Sequence, residues 1–218
     1  SVAVVELFTS QGCSSCPSAD KNLSQLITNN TDRMVFGLSF HVSYWNYLGW
    51  KDPYSKEVFT ERQRKYAAKF ANSSIYTPHL SVNGKEEFVG SKQVKTKQVI
   101  ERSLSQQTNH TINAQLKVVG DRLEVLYDIE GEHEGYVLNI ALVERNLQTK
   151  ILRGENQHKT LHHDNVVREF TTQKLSASGR HSIDIPPGLS FSNTSVILYT
   201  QRKTSFEITG ASAVDLPL

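Results

Sequence analysis

The 218-residue sequence has only two cysteines, no long hydrophobic stretch and no concentration of charge of one sign. Two cysteines three positions apart cannot form the disulfide framework that stabilises many small secreted folds. No apolar run approaches the roughly 20 residues that a membrane-spanning helix needs. The formal net charge is +2 and the lysines and arginines are scattered, so nucleic acid is not expected as a partner.

The composition, with 38% hydrophobic and 21% charged residues, is typical of a globular protein in water. The length allows one large domain or two small ones. The sequence begins at Ser1 without an initiator methionine. A removed signal peptide would explain this start, as would a cloning boundary, and on the first explanation we expect a periplasmic or secreted protein.

The first hundred residues alternate between strand and helix patterns. An apolar, β-branched run over residues 2–8 predicts a strand buried on both faces, and Pro17 suits the first turn of a helix. Residues 34–42 predict a second strand and residues 55–70 a second helix.

An Asn83-Gly84 pair then predicts a hairpin, and residues 91–104 predict a third helix. This order of elements predicts a thioredoxin-like α/β module with a mixed sheet over residues 1–108, with a helical insertion at about residues 43–72.

The second half of the sequence, residues 109–218, has a different pattern. Apolar residues alternate with polar ones around positions 112–118, 123–129 and 138–142, which predicts antiparallel strands. Further strands are predicted at residues 166–171, 181–185, 196–199 and 206–209. We therefore expect an antiparallel β-sandwich-like region to follow the α/β module.

The residues that carry chemistry are Cys13 and Cys16, which stand where the first strand meets the first helix. The partial positive charge at a helix start favours the thiolate of Cys13, which we expect to be the exposed nucleophile. Cys16, one turn inward, would resolve the mixed disulfide. No cofactor is expected beyond this redox-active disulfide.

Thr77 and Pro78 precede the predicted hairpin, where a thioredoxin-like module keeps a cis proline beside its cysteines. We expect these two residues to shape contact with a substrate. Two other interpretations of the cysteine pair stay open, a structural disulfide and a metal-bound pair. Cys13, Cys16 and His41 would suit copper or zinc, although a packing or surface role for His41 is expected first.

Distinctive segments lie at residues 6–17, 40–42, 44–45, 48–53, 59–63, 76–78, 82–84, 153–156 and 166–168. Together they resemble the DUF1223 family of exported bacterial proteins. It implies a thioredoxin-like fold with an appended β-rich region and a location outside the cytoplasm. Ser18 departs from this pattern, since the family is expected to carry proline there.

Aromatic residues cluster between the second strand and the second helix. Tyr44, Trp45 and Trp50 would line an apolar groove for a peptide substrate, or they pack the insertion onto the sheet, which is the expected role. Asp52 has two interpretations, a cap of the following helix and a proton relay, and the cap is preferred.

The β-rich half contains several further polar residues of interest. His158, His162 and His163 invite a metal interpretation, but the expected structure is a solvated loop. Residues 155, 156 and 168 have no evident reactive role and are expected to tie the β-rich region to the α/β module.

Taken together, the motifs predict an extracytoplasmic thiol–disulfide oxidoreductase that acts on protein or peptide thiols and disulfides. The alternatives are a non-catalytic binding protein with a structural disulfide, or a copper-handling protein that uses the two cysteines. The sequence predicts neither the direction of electron flow nor an oligomeric state.

Overall fold

The structure is a computed structural model that describes residues 1–217, and its largest feature is an eight-stranded mixed sheet. The first 104 residues supply four strands and three helices, which are β1 (Ala3–Thr9), α1 (Pro17–Thr28), β2 (Val35–His41), α2 (Glu57–Lys69), β3 (His79–Val82), β4 (Glu86–Val89) and α3 (Gln93–Leu104). These elements match the predicted ones with shifts of one or two residues at their ends.

The following segment is made of strands joined by short turns, with one 3-10 turn at Phe191–Asn193. Its strands are β5 (Thr111–Val119), β6 (Arg122–Glu130), β7 (Tyr136–Glu144), β8 (Leu147–Lys150), β9 (Thr160–His163), β10 (Val166–Lys174), β11 (Ser178–Asp184), β12 (Thr194–Arg202) and β13 (Ile208–Asp215). The strand predicted at residues 206–209 begins later and is longer.

Strands from both halves of the chain share the large sheet, in the order β13-β12-β7-β10-β2-β1-β3-β4. β1 pairs in parallel with β2 and antiparallel with β3. The two halves meet where β10 pairs with β2 through Val166 and Ser39. The division of the chain into domains at residues 108 and 109 stays a prediction.

All seven residues of β1 are buried, which explains its unbroken apolar sequence. Side chains alternate between the two faces of a strand. Val5 and its alternate neighbours pack with α1 and α3, whereas Val4 and Phe8 pack with α2. Helices thus cover both faces of β1. This packing fixes the position of the end of β1, from which the cysteine motif follows.

The antiparallel strands predicted in the second half are confirmed. β11, β6 and β5 form a separate three-stranded sheet, and its buried residues share one core with β7 and β12. Leu123 and Val125 from the small sheet meet Leu138 and Leu198 from the large one. Face-to-face packing of two sheets gives this half its sandwich-like character.

A hairpin of β8 and β9 stands apart from both sheets. The sequence predicts a solvated loop here, and that prediction is wrong for His163, which is 2% exposed in β9. His162 is exposed on the other face of the strand, and His158 is exposed in the connecting loop. The hairpin contacts α1, which brings it to the cysteine motif.

Within residues 1–217, no helix is both long enough and apolar enough to cross a membrane.

Candidate functional site

Cys13 and Cys16 form a disulfide between the end of β1 and the start of α1. Cys16 is the N-cap residue of α1, and Pro17 is its first residue. The Cys16 amide donates a hydrogen bond to the Cys13 carbonyl at 3.3 Å. Proline suits this position because the first amides of a helix have no partner within the helix. The cysteine pair therefore occupies the helix start that the sequence predicted.

Neither cysteine has exposed surface, so the expectation that Cys13 is exposed is wrong for the disulfide form. The loop of the β8–β9 hairpin lies against the cysteine turn. Asn156, also fully buried, donates through Nδ2 to the carbonyl oxygens of Gln11 and Cys13, each at 2.9 Å. The Glu155 carboxylate accepts a hydrogen bond from the Ser14 amide at 3.0 Å.

The Thr77–Pro78 peptide bond is cis, as predicted. Trp45 connects this bond to the cysteine turn. Its Nε1 donates to Thr77 Oγ1 at 2.8 Å, and a Cβ atom built at Gly12 would lie 3.2 Å from the Cβ of Trp45. A larger residue at position 12 would therefore contact Trp45 tightly. Trp45, Thr77 and the cysteine turn are thus brought together.

Some aromatic residues of the insertion pack against the core, and others lie at the surface. Tyr44 and Trp45 pack against the core between β2 and α2. Trp50 donates through Nε1 to Gln11 Oε1 at 3.0 Å, which holds it beside the cysteine turn. Tyr47 is 81% exposed. Contact between these aromatic residues and a substrate stays a prediction.

A buried carboxyl group lies one helical turn after Cys16. Asp20 is 5% exposed, and its Oδ1 accepts a hydrogen bond from Thr9 Oγ1 at 2.8 Å. Its Oδ2 has no hydrogen-bond partner, and the Nδ1 atom of His163 is 3.6 Å away. Residues four apart lie on the same face of a helix, so Asp20 is on the face that carries Cys16.

His163 also contacts a second buried histidine. The rings of His41 and His163 meet edge to face, with 4.7 Å between their centroids. His41 Nδ1 is 2.7 Å from Asp52 Oδ2, and neither side chain of this pair has exposed surface. Asp52 Oδ2 also accepts the Gln11 amide at 2.9 Å. Polar contacts therefore connect the cysteine turn to Asp20 through Asp52, His41 and His163.

Asp52 does not cap α2, and the preferred interpretation of this residue is wrong. The N-cap residue of α2 is Lys56, without a side-chain capping bond. Asp52 instead accepts hydrogen bonds from the Gln11 and Tyr54 amides and pairs with His41. Its carboxylate thus supports the loop beside the cysteines.

The four side chains of this buried cluster differ in protonation. Burial raises the pKa of Asp20 to about 7, although the charge on His41 opposes the shift. Burial also opposes the charge on His41, but the Asp52 carboxylate outweighs it and raises the His41 pKa. Burial, together with the charge on His41, lowers the pKa of His163 to about 3. A carboxyl group with a pKa of about 7 exchanges a proton near neutral pH, so Asp20 is suited to acid–base chemistry.

A cleft of about 350 Å³ lies between α1 and β9. Pro17, Asp20, Leu161 and His162 are among the residues that line it. Asp20 thus lies at the edge of this cleft, although its side chain is almost entirely buried.

Among residues 1–217, the disulfide form contains no preformed set of metal ligands around the two cysteines. Both ring nitrogens of His163 and the Nε2 of His41 lack hydrogen-bond partners. Within residues 1–217, however, no three side chains of histidine, cysteine, aspartate or glutamate converge as metal ligands. A copper site at Cys13, Cys16 and His41 stays a prediction that requires the reduced form.

The family of the chain follows from its sequence over nearly all of this fold. Residues 4–201 match the family described as "Protein of unknown function (DUF1223)", and the chain belongs to that family. No curated protein matches the sequence.

One solved structure has a similar fold over nearly the whole chain. An Agrobacterium tumefaciens protein, solved as a structural-genomics target, is similar over 97% of this chain and 93% of its own, with 28% identity and a TM-score of 0.69. A domain of the outer membrane lipoprotein Omp28 from Porphyromonas gingivalis shares 13% identity over 50% of this chain and 88% of its own. Its TM-score of 0.32 is too low to support an argument.

The site contains one residue, Asp20, that is absent from the sequence-based predictions. Its spacing of four positions after Cys16 is a usable signal, because it places a carboxyl group on the same helix face. The predicted tie between the β-rich region and the α/β module is confirmed for Asn156 and Glu155, which contact Cys13 and Ser14. His163 is predicted in a solvated loop, whereas its burial depends on the β8–β9 hairpin.

Proposed function

We propose that this protein is an extracytoplasmic thiol–disulfide oxidoreductase built on a thioredoxin-like module. It cycles Cys13 and Cys16 between disulfide and dithiol. The observation that carries the proposal is the disulfide at the start of α1, which combines a helix start with a buried carboxyl group one turn away. The cis bond before Pro78 lies near the same turn and supports the thioredoxin-like assignment.

The exchange begins when a substrate thiolate attacks the Cys13 sulfur. A mixed disulfide forms, the Cys13–Cys16 bond breaks, and Cys16 leaves with the electron pair as a thiolate. Asp20, with its pKa near 7, supplies the proton that this thiolate takes up. A second substrate thiolate then attacks the substrate sulfur of the mixed disulfide and releases Cys13.

The net result is transfer of two electrons to the protein and formation of a substrate disulfide. In the reverse direction Asp20 accepts the Cys16 proton, and the Cys16 thiolate resolves the mixed disulfide. Protein or peptide thiols and disulfides are the proposed partners. Disulfides form and persist in oxidising compartments, so the Cys13–Cys16 disulfide supports a location outside the cytoplasm.

A disulfide-exchange assay with insulin as acceptor and dithiothreitol or glutathione as donor tests the proposal. Turnover is expected for the wild type and is lost in Cys13→Ser. Ser18→Ala, which changes an exposed serine on the same helix, is the matched control and should keep wild-type turnover. If the wild type shows no turnover with either donor, the proposal fails.

A second candidate function is a non-catalytic binding protein in which the disulfide is structural. It is favoured by the complete burial of both cysteines. The reduction potential separates the two candidates. A value below about −300 mV marks a structural disulfide, and a higher value marks one that takes part in exchange.

A further inference from the structure

A carboxylate from the other half of the chain binds the turn between Cys13 and Cys16. Glu155 lies in the loop of the β8–β9 hairpin, and its Oε2 accepts the Ser14 amide at 3.0 Å. Ser14 follows Cys13 directly, so the carboxylate is placed beside the residue that attacks or is attacked. Hydrogen bonds from Ser14 lower the pKa of the Glu155 carboxyl group, which is therefore ionised at neutral pH.

The hairpin loop is fixed in this place by contacts other than those of Glu155. Asn156 Nδ2 bonds to the carbonyls of Gln11 and Cys13, and its Oδ1 accepts a hydrogen bond from Lys159 Nζ at 3.0 Å. Gln11 Nε2 in turn donates to Thr149 Oγ1 in β8 at 2.9 Å. The position of the carboxylate is thus determined by the fold of the hairpin, although Glu155 itself is exposed.

We propose that Glu155 is a positioning residue that restrains the reactivity of Cys13, because its carboxylate is held on the amide of the next residue, Ser14. The proposal rests on the proposed function, because it concerns the same cysteine. A negative charge beside a thiol disfavours the charged form of that thiol by repulsion. After reduction, the Glu155 carboxylate therefore disfavours the Cys13 thiolate, which is the reactive form.

The other charged groups around the cysteine turn include both positive and negative ones. Lys159 of the hairpin is held on Asn156, and Asp20, His163 and the His41–Asp52 pair lie beneath α1. These groups are unchanged by a substitution at Glu155. Removal of the single negative charge therefore isolates its effect on Cys13.

The test compares Glu155→Gln with the unsubstituted protein, both carrying Cys16→Ser so that Cys13 is the one thiol. Glutamine keeps the size and the acceptor oxygen but removes the charge. Alkylation of Cys13 by iodoacetamide at pH 6 should be about threefold faster in Glu155→Gln, and the midpoint of its pH profile should fall. Glu134→Gln, an exposed charge in the turn between β6 and β7, is the matched control.

Equal alkylation profiles with and without the Glu155 charge would overturn the proposal, as would an equal effect of Glu134→Gln. If Cys16→Ser impairs folding, the same comparison is made with both cysteines present. The fraction of disulfide is then measured in dithiothreitol buffers, and Glu155→Gln should be reduced more readily. Neither measurement depends on turnover, so a failure of the exchange assay and a failure of this proposal are distinguishable.

Discussion

The buried carboxyl group of Asp20 lowers the stability of the folded protein when it is ionised. The residue is 5% exposed, and its Oδ2 atom has no hydrogen-bond partner. Its pKa rises from the ordinary value of 3.8 to about 7 on folding. Between these two values the folded protein holds a proton that the unfolded chain has released, so stability falls as pH rises. Above about pH 7 both states are ionised and the cost is constant.

Asp20→Asn should therefore stabilise the protein at high pH. The expected gain in free energy of unfolding is on the order of 2 to 4 kcal/mol at pH 8, and it should disappear near pH 4. The asparagine can still accept the hydrogen bond from Thr9. Urea unfolding at pH 4, 6 and 8 measures the effect, with the exposed Asp32→Asn as control. A gain of equal size at pH 4 would show that burial of the charge is not its cause.

The same substitution should slow disulfide exchange, because the Cys16 thiolate loses its proton donor and acceptor. A fall of about 10- to 100-fold in turnover is expected, at the lower end of acid–base contributions. The insulin assay across pH 5 to 9 provides the measurement. Retention of the wild-type rate and pH profile would remove Asp20 from the mechanism while leaving Cys13 and Cys16 in place.

For single residues, the sequence predicts a position correctly where that position depends on neighbours along the chain. Cys13, Cys16 and the cis Pro78 all follow from short motifs at the ends of elements. The sequence misassigns Asp52, because its position shortly before α2 favours a helix cap, whereas its partner His41 is the last residue of β2. Residues defined by distant partners have no local pattern.

Among the elements, the β8–β9 hairpin has the largest effect on the site. It supplies His163 to the buried cluster and lays its loop against the cysteine turn. The helices and strands of the first half were predicted within one or two residues, since their periodicity is strong. The hairpin was not predicted, because each of its strands has four residues and few apolar side chains.

Asn156→Ala should loosen this hairpin from the disulfide. Two buried hydrogen bonds are lost, each worth about 1 kcal/mol, so the loop should open roughly 30-fold more often. Reduction of the disulfide by dithiothreitol should become faster by about the same factor. Gln157→Ala, an exposed neighbour in the same loop, is the control. An unchanged rate of reduction would mean that other contacts cover the sulfurs.

The whole molecule is held together by the shared sheet and by a buried polar network beneath it. Glu6 of β1 pairs with Arg62 of α2 at 2.7 Å and accepts the hydroxyl of Tyr199 of β12 at 2.8 Å. Arg62 also donates to Gln201 Oε1 at 3.2 Å and lies over the ring of Phe170. Side chains from both halves of the chain thus complete one network, which the sequence pattern of either half does not indicate.

Arg62→Met should destabilise the entire chain in one step, because it leaves the Glu6 carboxylate buried without its partner. Loss of one member of a buried ion pair costs about 3 to 5 kcal/mol. Guanidinium unfolding, followed by tryptophan fluorescence and by circular dichroism, should give one coincident transition at a lower midpoint. Arg64→Met, an exposed position on the same helix, should change stability by less than about 0.5 kcal/mol. Two separate transitions, with only one of them shifted, would show that the halves unfold independently despite their common sheet.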